Sequence, residues 1–164
     1  ETPEVIIGQS HPGDAGDTIL IVGVGKLMTS LGRCCKPAPP DAIQGYVTRG
    51  RGVSIHRVEC RDFQQLVRSH PERLISAQWG GAASPKEAVF PVDVVVNAMD
   101  RQGLLRDISE VLSREKLNVI AVNTLSRKGA ARMRFTFEVQ GVHQIQRALT
   151  LIREVKGVTD VERG

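Results

Sequence analysis

Between residues 89 and 163 the apolar residues switch between a period of two and a period near 3.6, and the order of those switches leaves few folds open. VFPVDVVVNAM (89–99) is largely β-branched and reads as a strand. GLLRDISEVLSREK (103–116) sets Leu104, Leu105, Ile108, Val111 and Leu112 in one helical stripe. NVIAVNTLSR (118–127) is a second strand, and Lys128–Gly129 a tight turn after it. The next ten residues alternate: Ala131, Met133, Phe135, Phe137 and Val139 face one way, and Arg132, Arg134, Thr136, Glu138 and Gln140 the other. HQIQRALTLIREVKG (143–157) turns Ile145, Ala148, Leu149 and Ile152 inward on a helix, and VTDVER (158–163) closes as a strand. The order β-α-β-β-α-β predicts a ferredoxin-like unit, two helices over one face of a four-stranded antiparallel sheet.

The first half is less regular. Residues 1–18 are rich in Gly, Pro and acids without a sustained period, and read as a flexible linker. ILIVGVG (19–25) opens with a short buried strand, and IQGYVTRGRGVSIH (43–56) reads as two strands around Gly50–Arg51–Gly52. CRDFQQLVRSHPE (60–72) is a short helix with Phe63, Leu66 and Val67 on one face, stopped by Pro71; RLISAQW (73–79) is a strand. GGAASPKEA (80–88) has a linker's composition. The expected division is therefore a small β-rich module at 19–79 and an α+β unit at 89–164. A chain that is 41% hydrophobic and 24% charged is neither disordered nor fibrous, and at 4% aromatic its cores must be built from aliphatic residues. No apolar run is long enough to span a bilayer and no secretory signal pattern opens the chain, so no membrane partner is expected. Glu1 rather than Met comes first, which reads as a piece of a longer polypeptide.

All three cysteines fall in the first module. An odd number, without a secretory signal, fits a reducing cytoplasm and argues against a disulfide framework. Cys34 and Cys35 are adjacent, and His56 and Cys60 follow as H-x-x-x-C. Three thiols and one imidazole suit tetrahedral zinc, with His56 and Cys60 converging over one helical turn. Neighbouring side chains diverge on an extended chain, so Cys34 and Cys35 share an ion only if the backbone kinks; Lys36–Pro37 and Pro39–Pro40 are placed to constrain it. Two other readings stay open: buried apolar cysteines beside an unrelated histidine, or a vicinal thiol pair serving as a redox sensor. His11 and His70 lie in Pro-rich turns and are assigned to no site. The net charge of +4 is unevenly spread, since residues 33–61 carry six bases against two acids. Arg33, Lys36, Arg49, Arg51 and Arg57 thus form a candidate RNA or phosphate contact surface, and Arg132 and Arg134, beside Arg127 and Lys128, an alternative one.

LGRCCKPAPPDAIQGYVTRGRGVSIHRVEC (31–60) resembles the conserved-cysteine, zinc-finger segment of long RelA/SpoT enzymes, the GTP pyrophosphokinases that make (p)ppGpp. The resemblance is carried by Arg33-Cys34-Cys35, Pro37, Asp41, Gly45-Tyr46, Thr48, Gly50-Arg51-Gly52, His56-Arg57 and Cys60. DRQGLLRDISEVLSREKLNVIAVNT (100–124) resembles the ACT domain that ends the same proteins. Such segments usually read Pro-Gly-Asp where this chain has Pro39-Pro40-Asp41, so a turn needing positive φ there would have to differ.

The resemblance implies Cys34, Cys35, His56 and Cys60 as ligands of a structural zinc. It implies an amino-acid effector near Asp100, Arg101, Gln102, Gly103, Leu104 and Asn118, and a homodimer formed through the ACT domain. Gly103 would let backbone approach such a ligand, although Asp100 and Gly103 equally suit a plain helix start. No catalytic constellation is found in the sequence. The chain is expected to be non-enzymatic, a regulatory region of a stringent-response transferase, with the ribosome, uncharged tRNA and an N-terminal catalytic half as partners. An ACT-type amino-acid sensor or dimerisation module is the alternative.

Overall fold

In a computed structural model, residues 29–50, 52–79 and 89–164 are described, together with the backbone of the short strands β1 (Glu4–Val5) and β2 (Ile19–Ile21). The chain divides between Phe90 and Pro91 into two compact units. The segment 80–88 read as a linker lies outside the described residues, as do His11, Arg51 and most of 1–18. Glu4–Val5, within that opening stretch, pair with the later unit.

The first unit is a five-stranded sheet in the order β2-β6-β4-β5-β3. β4 (Ile43–Thr48) and β5 (Gly52–Arg57) form the expected hairpin, registered from Ile43 opposite Arg57 to Thr48 opposite Gly52. β6 (Leu74–Trp79) pairs with β4 and β2, antiparallel to both. β3 (Thr29–Leu31), which the sequence did not signal, lies parallel to β5. Alternation along β4 and β5 gives the sheet two small cores. One joins Ile43, Val53 and Ile55 to Leu31, Ile75, Ala77 and Trp79. The other joins Tyr46 to Cys35, Cys60 and Phe63, with Val67 against it. Helix α1 (Arg61–Ser69) supplies Phe63 and Val67 to that second core, but Leu66, expected on the same face, is 41% exposed. Among the described residues one of these two cores is centred on cysteines, and small domains of that kind depend on staples.

The second unit has the predicted order. β7 (Phe90–Met99), α2 (Leu104–Arg114), β8 (Asn118–Arg127), β9 (Ala130–Val139), α3 (Val142–Arg153) and β10 (Val158–Arg163) build a sheet ordered β1-β8-β9-β7-β10. Without β1 this is the strand order of a ferredoxin-like unit. Ala131, Met133, Phe135, Phe137 and Val139 are all buried, as are Val92, Val94 and Val96 of β7. The helices contribute Leu104, Ile108 and Leu112 from α2, and Ile145, Ala148 and Ile152 from α3. Full burial of each large side chain contributes about 1.5–3 kcal/mol, so this core sustains itself. Leu105 departs from the expected stripe and is 47% exposed; one residue from Leu104, it is turned about 100° round the helix. The β8–β9 connection is a two-residue turn with Lys128 at φ 52 and Gly129 at φ 78, the paired positive values of a type I′ hairpin. On the other face of β9, the buried Asp93 carboxylate accepts from Arg134 at 3.1 Å and from Thr136 Oγ1 at 2.5 Å. Arg134 is therefore ion-paired within its own sheet. Among the described residues no helix is long and apolar enough to cross a membrane.

Candidate metal centre

Three separate elements converge on one point. β3 ends where Gly32 N–H donates to Ile55 O at 2.7 Å, and Lys36 N–H then donates to Gly32 O at 3.0 Å, closing a turn that carries both Cys34 and Cys35. Lys36 leaves that turn with φ 44. The kink that lets neighbouring cysteines share a site is thus this turn, closed by the Lys36 of the Lys36–Pro37 pair. Further along, Asp41 closes its own turn: its N–H donates to Ala38 O, and its Oδ2 accepts Ala38 N–H, both at 2.8 Å. Position 40 is not among the positive-φ residues, so Pro40 is accommodated.

His56 projects from β5, and Cys60 sits just before α1 with extended backbone (φ −64, ψ 122). The two meet through a turn in which Cys60 N–H donates to Arg57 O at 3.0 Å, rather than over the helical turn that i, i+4 spacing predicts. All four ligand atoms lie within 4.8 Å of one another. Cys34 Sγ is 3.3 Å from His56 Nδ1 and 3.4 Å from Cys60 Sγ, and Cys35 Sγ is 3.7 Å from the same nitrogen. A tetrahedral zinc with bonds near 2.3 Å to sulfur and 2.0–2.1 Å to nitrogen would space its ligands by about 3.5–3.8 Å. The cluster has the dimensions to hold a metal ion.

The surroundings support that use. His56 Nε2 lies 2.8 Å from Ser54 Oγ, two residues back on the same face of β5, and donates its hydrogen there when Nδ1 is a ligand. Arg57 N–H donates to Cys35 Sγ at 3.4 Å, and the Phe63 ring stacks on the imidazole at 5.3 Å and 18°. Burial pushes the Cys35 thiol up to about 12 and raises Cys34 as well, while it lowers His56. The lowered value favours the neutral imidazole, the form in which histidine is a ligand. A divalent cation reverses the balance for the thiols by drawing them into the thiolate form. Ser54 and Gly32 carry no ligand chemistry of their own and are missed by a search for ligand types. A Cβ at Gly32 would stand 2.6 Å from His56 Nδ1, so no side chain fits there without displacing the imidazole. Ser54→Ala is expected to weaken metal binding roughly 10- to 100-fold while leaving the fold intact, as measured by competition with a chromophoric chelator.

The described basic residues lie at both ends of the β4–β5 hairpin. Arg33 is exposed beside Cys34, and Lys36 Nζ lies 3.4 Å from Arg33 O. Arg57 is at the metal end of β5, its Nε 4.0 Å from Glu59. Exposed Arg49 follows β4 at the opposite end of the hairpin, roughly 20 Å away at about 3.3 Å per strand residue.

In the second unit, Asp100, Arg101, Gly103 and Leu104 line a groove of about 460 Å³ with Thr124 and Met133. Gln102 and Asn118 do not line it; Asn118 Nδ2 instead donates to Glu138 at 2.8 Å. The Arg101 guanidinium is committed to Lys156 O (2.8 Å), Gln102 O (3.0 Å) and Asp107 Oδ2 (2.7 Å), and its hydrogen bond holds the Asp107 carboxyl below the usual carboxylate range.

Comparison with known proteins assigns both units. Residues 19–80 match the family model of the RelA/SpoT RIS domain, and residues 86–163 match an ACT domain model. The chain is 40% identical over 158 residues to a GTP pyrophosphokinase of Escherichia coli K12, covering 94% of this chain and 21% of that protein. It is 40% identical over 158 residues to one of Streptomyces coelicolor (95% and 18%), and 36% over 156 residues to one of Photobacterium angustum (94% and 21%). The chain thus spans about a fifth of the length of the curated relatives it matches. A solved ACT domain from the GTP pyrophosphokinase of Chlorobium tepidum aligns with 47% of this chain and 100% of its own, at 21% identity and a TM-score of 0.43. The chain belongs to the RelA/SpoT family.

Proposed function

We propose, from that membership, that this chain is the C-terminal regulatory region of a cytoplasmic (p)ppGpp synthetase, in which a zinc-organised RIS domain and an ACT domain control a distant N-terminal catalytic half. The observation that carries the reading is the RIS–ACT order, matched along 94% of the chain to GTP pyrophosphokinases of which it covers a fifth. A site with four protein ligands leaves no position for substrate, which makes the ion structural rather than catalytic. Zinc is the ion that three thiolates and an imidazole select in a tetrahedral arrangement. When bound, it supplies a rigid crosslink between the Cys34–Cys35 turn, β5 and the start of α1.

The ribosome and uncharged tRNA are the proposed partners, met through phosphate contacts from Arg49, which follows β4, and from Arg51, two residues on in the sequence. Co-sedimentation with ribosomes at two salt concentrations tests this. Neutralising Arg49 and Arg51 should weaken retention and flatten its salt dependence, by about one unit of log–log slope for each phosphate no longer neutralised. Retention equal to wild type at both concentrations would remove these arginines from the interface. The amino-acid sensor reading ranks second, because the groove's guanidinium is already committed to protein oxygens and Asn118 lies outside the lining.

A further inference from the structure

One ligand of the candidate centre differs from the rest: Cys34 is exposed, whereas Cys35, His56 and Cys60 are buried. An oxidant arriving from solvent therefore meets Cys34 first. Across the cluster, the Cys60 sulfur lies 3.4 Å from that of Cys34. A disulfide needs about 2.05 Å, so the gap to be closed is small. Cys35 is the poorer partner despite its adjacency. Its sulfur accepts the Arg57 N–H, and bridging neighbouring residues would close a cramped ring across a single peptide bond.

We propose that Cys34 is a modification site, the oxidant-reactive thiol of this chain, and that its oxidation closes a Cys34–Cys60 disulfide. With a peroxide as oxidant, the Cys34 sulfur attacks one peroxide oxygen, the O–O bond breaks, and a Cys34 sulfenic acid forms with release of one water equivalent. The Cys60 sulfur then attacks the sulfenic sulfur, the S–O bond breaks, and a second water leaves. In total two thiols give up two electrons and two protons, and one hydrogen peroxide becomes two waters. Two of the four ligands are consumed, so a bound cation would be released in step with the bridge. The coupling to cation release rests on reading the cluster as a zinc site, but the choice of sulfurs does not.

The purified chain is treated with hydrogen peroxide, quenched, alkylated under denaturing conditions and mapped by peptide mass spectrometry, with zinc followed in parallel by a chromophoric chelator. The expected product is an intramolecular Cys34–Cys60 linkage, a protein mass lower by two hydrogens, Cys35 alkylated, and zinc released in proportion; dithiothreitol then restores all three thiols. A Cys34–Cys35 linkage, sulfinic acid at Cys34 with Cys60 still alkylatable, or three unmodified thiols would each overturn the proposal. A chain that holds no zinc as purified and takes up none when it is added, yet still forms the Cys34–Cys60 bridge, would refute the zinc reading and leave the modification site standing.

Discussion

Replacing Cys35 or His56 with alanine should abolish metal retention and unfold the first unit, while the second unit keeps its structure. The expected effect is large for a physical reason. Binding at a structural zinc site of this kind is worth an apparent 10–16 kcal/mol near neutral pH, of the same size as the whole stability of a small domain, about 5–15 kcal/mol. Here the cluster ties together a turn, a strand and a helix start that share one core, whose other members among the described residues are Tyr46, Phe63 and Val67. Amide hydrogen exchange measures the result domain by domain: protection along β4 and β5 should fall to that of an unfolded chain, with protection in β9 unchanged. A variant that loses the metal yet keeps hairpin protection would mean that the apolar clusters alone hold the unit.

The reciprocal substitution, Phe135→Ala, should strongly destabilise the second unit and leave the first with its metal. Phe135 is 0% exposed on the central core face of β9, and truncating a buried phenylalanine costs about 3–5 kcal/mol in lost transfer energy and residual cavity. That is a large share of what a single small domain has. Thermal unfolding followed by domain-specific exchange should show the β7–β10 region melting first while metal content stays at the wild-type level. Loss of metal from Phe135→Ala would contradict the division into two independently stabilised units.

The second unit is legible in the sequence because its periods are long and local. Five alternating core residues on β9 and the i, i+4, i+8 set of Leu104, Ile108 and Leu112 leave little choice of face. Leu105 joins that stripe on apolarity alone, which does not say how far round a helix a residue lies. The first unit is less legible because its geometry is made by pairings distant in sequence. Thr29–Leu31 holds one apolar residue and becomes a strand only by lying parallel to β5. The ligand types are readable from the sequence, but the reason they converge is not. The turn from Gly32 to Lys36, and the space under the imidazole that requires glycine at 32, appear only once β3 and β5 are side by side. Ser54 does leave a signal, since residues i and i+2 share a strand face, and a serine two before a ligand histidine is placed to hold its ring. Charge misleads in another way. A window over 33–61 merges the two ends of a hairpin, so its +4 excess describes a segment and not a surface.

On the reading proposed above, Cys34, Cys35, His56 and Cys60 hold one structural zinc that organises the RIS domain. Elemental analysis of the purified chain, combined with thiol labelling before and after chelation, tests it most directly. The expected result is one zinc per chain, with cysteines that resist labelling until a strong chelator removes the metal, and loss of hairpin protection on its removal. A metal-free chain whose three thiols label at once while β4 and β5 stay protected would mean that no metal organises this unit.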